Sequence, residues 1–298
     1  MKTEYRKLPE LIDTHAHLDE LEDLEKALSE AKSAGITAII AVGSNQISNE
    51  RVLDVSHRHQ GFVYPALGLH PWELGDLDHA KINSTLKFIE QMGQAIVAIG
   101  EVGLDYDKRV TRRAPKEFQK AVLKDILALA RQCGKPLILH SRYAWQDCLQ
   151  LVEEANIGAG KVVFHWFTGF SSVLKNILNA GYFISATPAA EYHEEHRRAI
   201  KEAPVDRLLL ETDTPVFYGR EVKYRSRPTD LLRSLKAVAG LKGIDESAIA
   251  LQTTDNARRF FDLQPQNTKN NRTRPPRSAV PSKPLLPAKI CFGSGKLL

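Results

Sequence analysis

Eight short apolar runs alternate with longer segments of helical pattern over residues 1–263, and this alternation is the strongest constraint on the fold. The runs cover residues 11–15, 37–42, 63–69, 95–100, 136–140, 161–165, 182–185 and 207–210. Short strands that alternate with helices form a parallel sheet. Because eight such units in roughly 250 residues are the size of a (β/α)8 barrel, the pattern predicts an α/β protein folded as a TIM barrel.

A doubly wound open sheet is the main alternative, since it also alternates strands with helices. That fold normally has a glycine-rich phosphate-binding turn after its first strand. Here the corresponding position holds the segment Asp13-Thr14-His15-Ala16-His17. Two segments have a helical period and end at a glycine, residues 20–34 before Gly35 and residues 116–133 before Gly134. The sequence therefore favours the barrel, as one domain over residues 1–263.

Residues 264–298 differ in composition from the rest of the chain. They contain seven of the 41 Lys and Arg, six of the 15 Pro and no Asp or Glu, which leaves 34 basic and 36 acidic residues elsewhere. Such a Pro-rich basic segment buries too little apolar surface to offset the entropy of ordering it. We expect a disordered tail, which either adds salt-sensitive affinity for nucleic acid or has no function.

The sequence has no targeting or membrane-spanning pattern. Residues 1–10 are polar, and no run reaches the roughly 18 apolar residues that a membrane span needs. The three cysteines, Cys133, Cys148 and Cys291, form no CxxC pair, which is typical of a reducing compartment. We expect a soluble, cytoplasmic and monomeric protein without a membrane partner.

Histidines and carboxylates stand at the ends of several predicted strands. His15 and His17 are two residues apart in an extended segment, so their side chains point to the same face. A single histidine in such a place is usually structural, and a single carboxylate is often a helix cap. Six at one rim of a barrel, where barrel enzymes place their chemistry, instead indicate a metal site. The six candidate ligands are His15, His17, Glu101, His140, His165 and Asp213.

Four imidazoles and two carboxylates are enough ligands for two divalent ions and too many for one structural zinc. We expect Glu101 to bridge the two ions, because each of its oxygens can bind one. His15, His17 and Asp213 would then complete the shell of one ion, and His140 and His165 that of the other. Mixed nitrogen and oxygen ligands suit Mn, Zn, Co or Fe, and Mg also fits when substrate phosphate adds oxygens, so the metal stays open.

The ordered set of motifs resembles the TatD-type metal-dependent deoxyribonucleases of the amidohydrolase superfamily over residues 11–263. The motifs are Asp13-Thr14-His15-Ala16-His17-Leu18-Asp19, Gly68-Leu69-His70-Pro71, Gly100-Glu101-Val102-Gly103-Leu104-Asp105-Tyr106, His140-Ser141-Arg142 and Glu211-Thr212-Asp213. The resemblance implies a barrel, the same six metal ligands, and removal of nucleotides from the 3′ end of DNA, especially single-stranded or damaged ends.

Two segments depart from the family pattern. Where the family usually has His-Cys-Phe-Ser-Gly, this chain has His165-Trp166-Phe167-Thr168-Gly169, and residues 218–228 lack the family's Asn. Both departures flank the pocket, so the choice of substrate is less certain than the type of reaction. Trp166, Phe167 and Phe170 either stack on bases, as aromatic side chains do in single-strand binding, or pack in the barrel core.

A two-metal site suggests roles for individual residues. Asp213 is our candidate for taking the proton of the attacking water and passing it to the leaving oxygen, with Glu101 as the bridge. His70 and Arg142 would neutralise phosphate oxygens. As alternatives, His70 would only orient a metal ligand, and Arg142 would form a salt bridge under the rim.

Two other functions remain open at this stage. The same barrel would also hydrolyse a carboxylic ester, including the aminoacyl bond on tRNA, or a small phosphodiester or amide, because the metal chemistry is shared. A non-enzymatic scaffold that binds nucleic acid is the third possibility. A chelator separates the enzymes from the scaffold, since it abolishes turnover only where the metals are catalytic.

Overall fold

The structure is a computed structural model, and it describes residues 10–264. The predicted tail at residues 264–298 lies outside the described residues, except for Gln264. The boundary between barrel and tail therefore stays a prediction from composition. Within residues 10–264, no helix is both long and apolar enough to cross a membrane.

Eight parallel strands form one sheet in sequence order. They are β1 (Leu11–Ala16), β2 (Ile36–Val42), β3 (Val63–Leu69), β4 (Ala98–Gly103), β5 (Leu137–His140), β6 (Val162–Phe164), β7 (Phe183–Ala186) and β8 (Leu208–Leu210). A parallel bridge between Ala16 and Thr214 joins the chain after β8 to the end of β1. The sheet therefore closes on itself, and the predicted TIM barrel is confirmed.

Helices follow the strands and pack around the barrel. They are α1 (Leu24–Ser33), α2 (Gln46–Arg58), α3 (His79–Gln91), α4 (Lys108–Thr111), α5 (Lys116–Cys133), α6 (Trp145–Glu154), α7 (Ser171–Asn179), α8 (Glu194–Glu202), α9 (Leu231–Lys242) and α10 (Glu246–Phe261). A two-stranded hairpin, β9 (Phe217–Tyr218) with β10 (Tyr224–Arg225), lies in the connection from β8 to α9.

Two of the predicted helices can be compared with the structure. Helix α5 has the predicted bounds and ends at Gly134, whose φ of 66° is the left-handed conformation that glycine adopts easily. The helix predicted over residues 20–34 is shorter, because a 3₁₀ turn, Leu18–Glu20, precedes it and α1 begins only at Leu24.

Strand β4 is displaced from its predicted bounds of 95–100. It continues through Gly103, which adopts a φ of 145°. A Cβ atom at Gly103 would lie 2.0 Å from the carbonyl oxygen of His140, so only glycine lets β4 approach β5 this closely. The sequence pattern predicted that this strand ends at Gly100. In the structure the strand continues, so Glu101 lies within β4 and not after it.

One end of the barrel is closed by α10. Phe260 and Phe261 of this helix pack into the same buried apolar cluster as interior side chains such as Ile12 and Leu209. The side chain of Asn256 donates hydrogen bonds of 2.8 Å to the carbonyls of Val205 and Leu208, where β8 begins. Since α10 covers the N-terminal ends of the strands, the carboxyl ends are left for the site.

Buried side chains support the seam between β1 and the segment after β8. The carboxylate of Asp13 accepts hydrogen bonds from the backbone N–H of Thr212 at 2.9 Å and from its hydroxyl at 2.6 Å. The backbone N–H of Asp213 donates to the carbonyl of His15 at 2.9 Å. Burial raises the pKa of Asp13 to about 8, while the two hydrogen bonds from Thr212 and one from the backbone N–H of His15 oppose this shift. The seam brings two of the predicted metal ligands, His15 and Asp213, side by side.

We expect Gly103→Ala to lower the free energy of unfolding by about 3 kcal/mol, because the new methyl group meets the His140 backbone and the residue keeps a positive φ. Urea denaturation measures this change. Gly158→Ala is the matched control, since its Cβ meets nothing within 4 Å, and it should change stability by less than about 0.5 kcal/mol. Equal stability of the two variants would contradict the close approach of β4 to β5.

Candidate metal centre

The structure brings all six predicted ligands together at the carboxyl ends of the strands. His15 lies in β1, Glu101 in β4 and His140 at the end of β5. The other three follow strands directly or closely: His17 after β1, His165 after β6 and Asp213 after β8. All of these side chains are buried or half-buried. They form two donor groups that share Glu101.

The first donor group consists of His15 Nε2, His17 Nε2, Glu101 Oε2 and Asp213 Oδ1. The two nitrogens are 3.3 Å apart, and each lies 3.3 Å from the Glu101 oxygen. The Asp213 oxygen lies 3.4 Å from His15 and 3.5 Å from His17. Four ligands at roughly 2.1 Å from a tetrahedral ion are roughly 3.4 Å from one another, so the spacing suits one divalent cation.

The second donor group faces the other oxygen of Glu101. His140 Nδ1 lies 2.8 Å from Glu101 Oε1, and His165 Nε2 lies 3.1 Å from it. Burial alone would raise the pKa of Glu101, but the surrounding imidazoles and the hydrogen bond from His140 hold it well below its usual range. An ionised carboxylate with one oxygen toward each group is the arrangement that a bridging ligand needs.

The two donor groups differ in how their histidines are oriented. The Nδ1 atoms of His15 and His17 are buried and have no hydrogen-bond partner among the described residues. In contrast, the second nitrogen of His140 and of His165 faces a carboxylate. A carboxylate behind a histidine fixes the tautomer and the ring orientation and increases the basicity of the nitrogen that binds metal.

Asp105 is the carboxylate behind His140. Its Oδ2 lies 2.9 Å from His140 Nε2, and it also accepts hydrogen bonds from the Trp72 indole at 2.6 Å and from Arg142 Nε at 3.0 Å. Burial opposes ionisation, but the bonds from His140 and Trp72 outweigh it and keep the pKa of Asp105 well below its usual range. Asp105 belongs to the Gly100–Tyr106 motif, from which no role for it was predicted.

Glu211 is the carboxylate behind His165. Its Oε1 lies 3.1 Å from His165 Nδ1 and accepts a hydrogen bond of 3.1 Å from the backbone N–H of Trp166. His15, His165 and Glu211 also lie close enough together to hold an ion. Because the other nitrogen of His165 faces Glu101, we assign Glu211 a role in positioning the His165 ring. Its place in the Glu-Thr-Asp motif was the only signal in the sequence.

His70 lies beside the second donor group, where its ring, Glu101 and His140 are also close enough together to hold an ion. Its Nδ1 accepts the backbone N–H of Trp72 at 3.1 Å, and its Nε2 lies 3.4 Å from Glu101 Oε1. Burial lowers the pKa of His70 to about 4, so the ring is neutral near pH 7. With Nδ1 accepting, the proton of the neutral ring is on Nε2, which points into the site.

Arg142 forms the salt bridge that was one of its two predicted roles, and its role toward phosphate stays a prediction. Its guanidinium forms the salt bridge with Asp105 and lies over the Trp72 ring, 5.2 Å from the ring centre. It also lines the cavity above the donor groups, which has a volume of about 1120 Å³. The salt bridge therefore holds the guanidinium at the wall of the cavity.

Comparison with known proteins identifies the family. The family model of TatD-related DNases matches residues 12–262. The chain belongs to the TatD family. This confirms the resemblance seen in the motifs and supports a hydrolase that needs divalent metal, whereas the ester-hydrolase and scaffold alternatives are not favoured. The comparison does not test the individual ligands, so their assignment stays a prediction that the geometry supports.

Several relatives match this TatD-family protein along most of their length. Human deoxyribonuclease TATDN3 is 35% identical over 266 residues, which cover 84% of this chain and 94% of the human protein. The 3′-5′ ssDNA/RNA exonuclease TatD of Erwinia tasmaniensis is 30% identical over 249 residues, 81% of this chain and 94% of that protein. The crystal structure of the TatD homologue YjjV from Escherichia coli superimposes with a TM-score of 0.78 at 28% identity, covering 85% and 98%.

The three aromatic residues in the segment after β6, Trp166, Phe167 and Phe170, do not share one environment. Phe167 is fully buried in the core, whereas Trp166 and Phe170 line the cavity. Trp166 packs against Tyr218 of the β9–β10 hairpin, with ring centres 5.3 Å apart. Trp166, the bulky residue of the His165–Gly169 segment, therefore forms part of the cavity wall.

We expect Asp105→Asn to weaken binding of Mn²⁺ or Zn²⁺ at the donor group of His140 and His165 about ten- to hundredfold, because His140 loses its carboxylate partner. Isothermal titration calorimetry of the metal-free protein measures this affinity. Asp107→Asn is the matched control: Asp107 is two residues away and pairs with Arg109, so its loss should change affinity less than about twofold. An unchanged affinity in Asp105→Asn would contradict the positioning role.

Proposed function

We propose that this chain is a deoxyribonuclease that uses two divalent ions to remove nucleotides from the 3′ ends of single-stranded DNA. The observation that carries the proposal is Glu101, whose two oxygens face separate donor groups at the base of a large open cavity. Family membership supports phosphodiester hydrolysis. The names of the human and Erwinia relatives support DNA as the substrate and the 3′ end as the starting point.

The donor chemistry fits two metal ions. We assign His15, His17 and Asp213 with Glu101 Oε2 to one ion, and His140 and His165 with Glu101 Oε1 to the other. When bound, such ions lower the pKa of water and stabilise the attacking and leaving oxygens at phosphorus. The mixed nitrogen and oxygen ligands of both groups suit Zn²⁺ or Mn²⁺, and oxygens from substrate phosphate would be needed for Mg²⁺.

Asp213 is the residue that we assign to proton transfer. Burial would raise its pKa, but the hydrogen bond from His17 and the nearby rings of His165 and His15 keep the pKa below its usual value. The carboxylate is therefore ionised and can accept the proton of the attacking water. The new bond forms between water oxygen and phosphorus, the bond from phosphorus to the 3′ oxygen breaks, and Asp213 returns the proton to that oxygen.

His70 and Arg142 are assigned to the non-bridging oxygens of the phosphate. The neutral ring of His70 presents its Nε2–H to the site, and Arg142 presents a guanidinium at the cavity wall. A hydrogen bond from the backbone N–H of Trp72 fixes the orientation of the His70 ring, and the salt bridge with Asp105 fixes that of the Arg142 guanidinium. Groups held in place before the substrate arrives lose little entropy on binding it.

The expected cytoplasmic location and monomeric state remain predictions.

Asp213→Asn should reduce cleavage of 5′-labelled single-stranded DNA about 10²- to 10⁴-fold in Mg²⁺ or Mn²⁺, because the carboxylate that accepts the proton is lost. Products are separated by length on a denaturing gel, where the intact enzyme should give a ladder that shortens from the 3′ end. Asp206→Asn is the matched control, since Asp206 precedes β8 at the opposite end of the barrel. It should cleave like the wild type.

EDTA should abolish the ladder in every sample. Immediate release of a labelled mononucleotide would instead show digestion from the 5′ end and contradict the proposed polarity. Absence of any cleavage by protein shown to contain both metals would contradict the nuclease itself.

A further inference from the structure

Three aromatic side chains form a continuous surface on one wall of the cavity, which we call the aromatic ridge: Tyr143, Trp145 and Phe170. Trp145 is half-buried in the middle, with ring centres 6.0 Å from Tyr143 and 5.7 Å from Phe170, both in edge-to-face geometry. It also contacts the buried ring of Phe167 at 6.3 Å, which anchors the ridge to the core. The ridge is therefore rigid at its centre and exposed at its two ends.

The two ends of the ridge expose large aromatic side chains that would be expected in the core. Tyr143 is 61% exposed and Phe170 is 67% exposed, although both side chains are large and mainly apolar. Both line the cavity above the metal centre. Exposed aromatic surface that is concentrated in one concavity indicates a binding site.

The ridge lies close in sequence to two of the proposed metal ligands. Tyr143 follows the proposed ligand His140 by three residues, and Phe170 follows the proposed ligand His165 by five. The loops that leave β5 and β6 therefore carry a metal ligand and a ridge aromatic each. The cavity of about 1120 Å³ is larger than the roughly 300–1,000 Å³ of pockets for small ligands, so it has room for more than one reacting group.

Two guanidinium groups stand beside the ridge. Arg142 precedes Tyr143 in sequence, and Arg198 from α8 donates hydrogen bonds to the carbonyl of Gly169 and to the hydroxyl of Ser171, on either side of Phe170. The buried Nε of Arg198 has no hydrogen-bond partner among residues 10–264, and Arg198 lines the cavity. Aromatic faces next to cationic groups are the combination that binds unpaired bases and their phosphates.

We propose that the aromatic ridge is a base-stacking subsite for the last unpaired nucleotides at the 3′ end, and that it makes the enzyme select single strands. Bases inside a duplex are stacked on one another and do not offer a face to the ridge, whereas unpaired bases do. This inference rests on the proposed nuclease function and names the feature of the substrate that the cavity recognises. Base identity matters little, because every base has an aromatic face.

The test compares two single-stranded oligonucleotides that differ only in their last three 3′ units, which are ordinary nucleotides in one and abasic tetrahydrofuran units in the other. Charge and scissile bonds are the same, so the ratio of kcat/KM values reports the contribution of the bases. We expect the wild type to prefer the normal strand by roughly 5- to 150-fold, the range of base–aromatic stacking. The Tyr143→Ala, Phe170→Ala double variant should lower this ratio most of the way to one, because only the half-buried Trp145 remains of the ridge.

Two further variants serve as controls. Phe217→Ala removes an aromatic side chain that is 62% exposed but does not line the cavity, and it should keep the wild-type ratio. Tyr143→Phe keeps the ring and should also keep the preference. A double variant with the wild-type ratio would overturn the proposal, as would a wild type that cleaves both strands equally well, with the nuclease function intact.

Binding by fluorescence anisotropy in EDTA separates this inference from the nuclease proposal. The same oligonucleotides are labelled at the 5′ end and titrated with each protein. A weaker Kd for the abasic strand, lost in the double variant, supports the ridge even where no product forms. Equal Kd values for both strands in the wild type overturn it.

Discussion

The carboxylate of Glu101 is the constraint on which the site depends. A buried ionised carboxylate is unfavourable unless cationic groups or strong hydrogen bonds surround it. Here five imidazoles lie within 3.4 Å of its oxygens. The barrel makes this possible by placing Glu101 inside β4, where glycine at position 103 allows β4 to run close to β5 and His140. The close approach of β4 to β5 therefore also positions the carboxylate that we propose as the metal bridge.

The residues proposed for catalysis and those proposed for substrate recognition lie on different parts of the fold. The proposed ligands lie in or directly after strands of a closed barrel, and two carboxylates, Asp105 and Glu211, hold His140 and His165 from behind. Recognition is assigned to the segments that follow the strands, which carry Arg142 and the aromatic ridge. Asp105 connects these parts, because the same oxygen binds a ligand histidine, an indole and a guanidinium. Rigid elements place reacting groups precisely enough for catalysis, while loops vary with substrate.

Much of this could be predicted from the sequence, and the failures have physical causes. Apolar runs and helix-ending glycines are local signals, so the barrel and α5 were predicted with nearly correct bounds. The strand ends brought six ligands to one rim because parallel strands share an edge. Asp105 and Glu211 received no role, since they act on histidines 35 and 46 residues away and only the folded chain shows these pairs. Phe167 and Phe170 lie in one loop, where no period separates a core ring from an exposed one.

The most direct test of the account is an anomalous diffraction experiment on crystals of the protein loaded with Mn²⁺. The account predicts two peaks separated by roughly 3.5–4 Å, one beside Glu101 Oε2 with His15, His17 and Asp213, the other beside Oε1 with His140 and His165. His70 should contact neither peak, because its inward nitrogen carries a proton. A single peak in fully loaded protein, or two ions that do not share Glu101, would contradict the central claim.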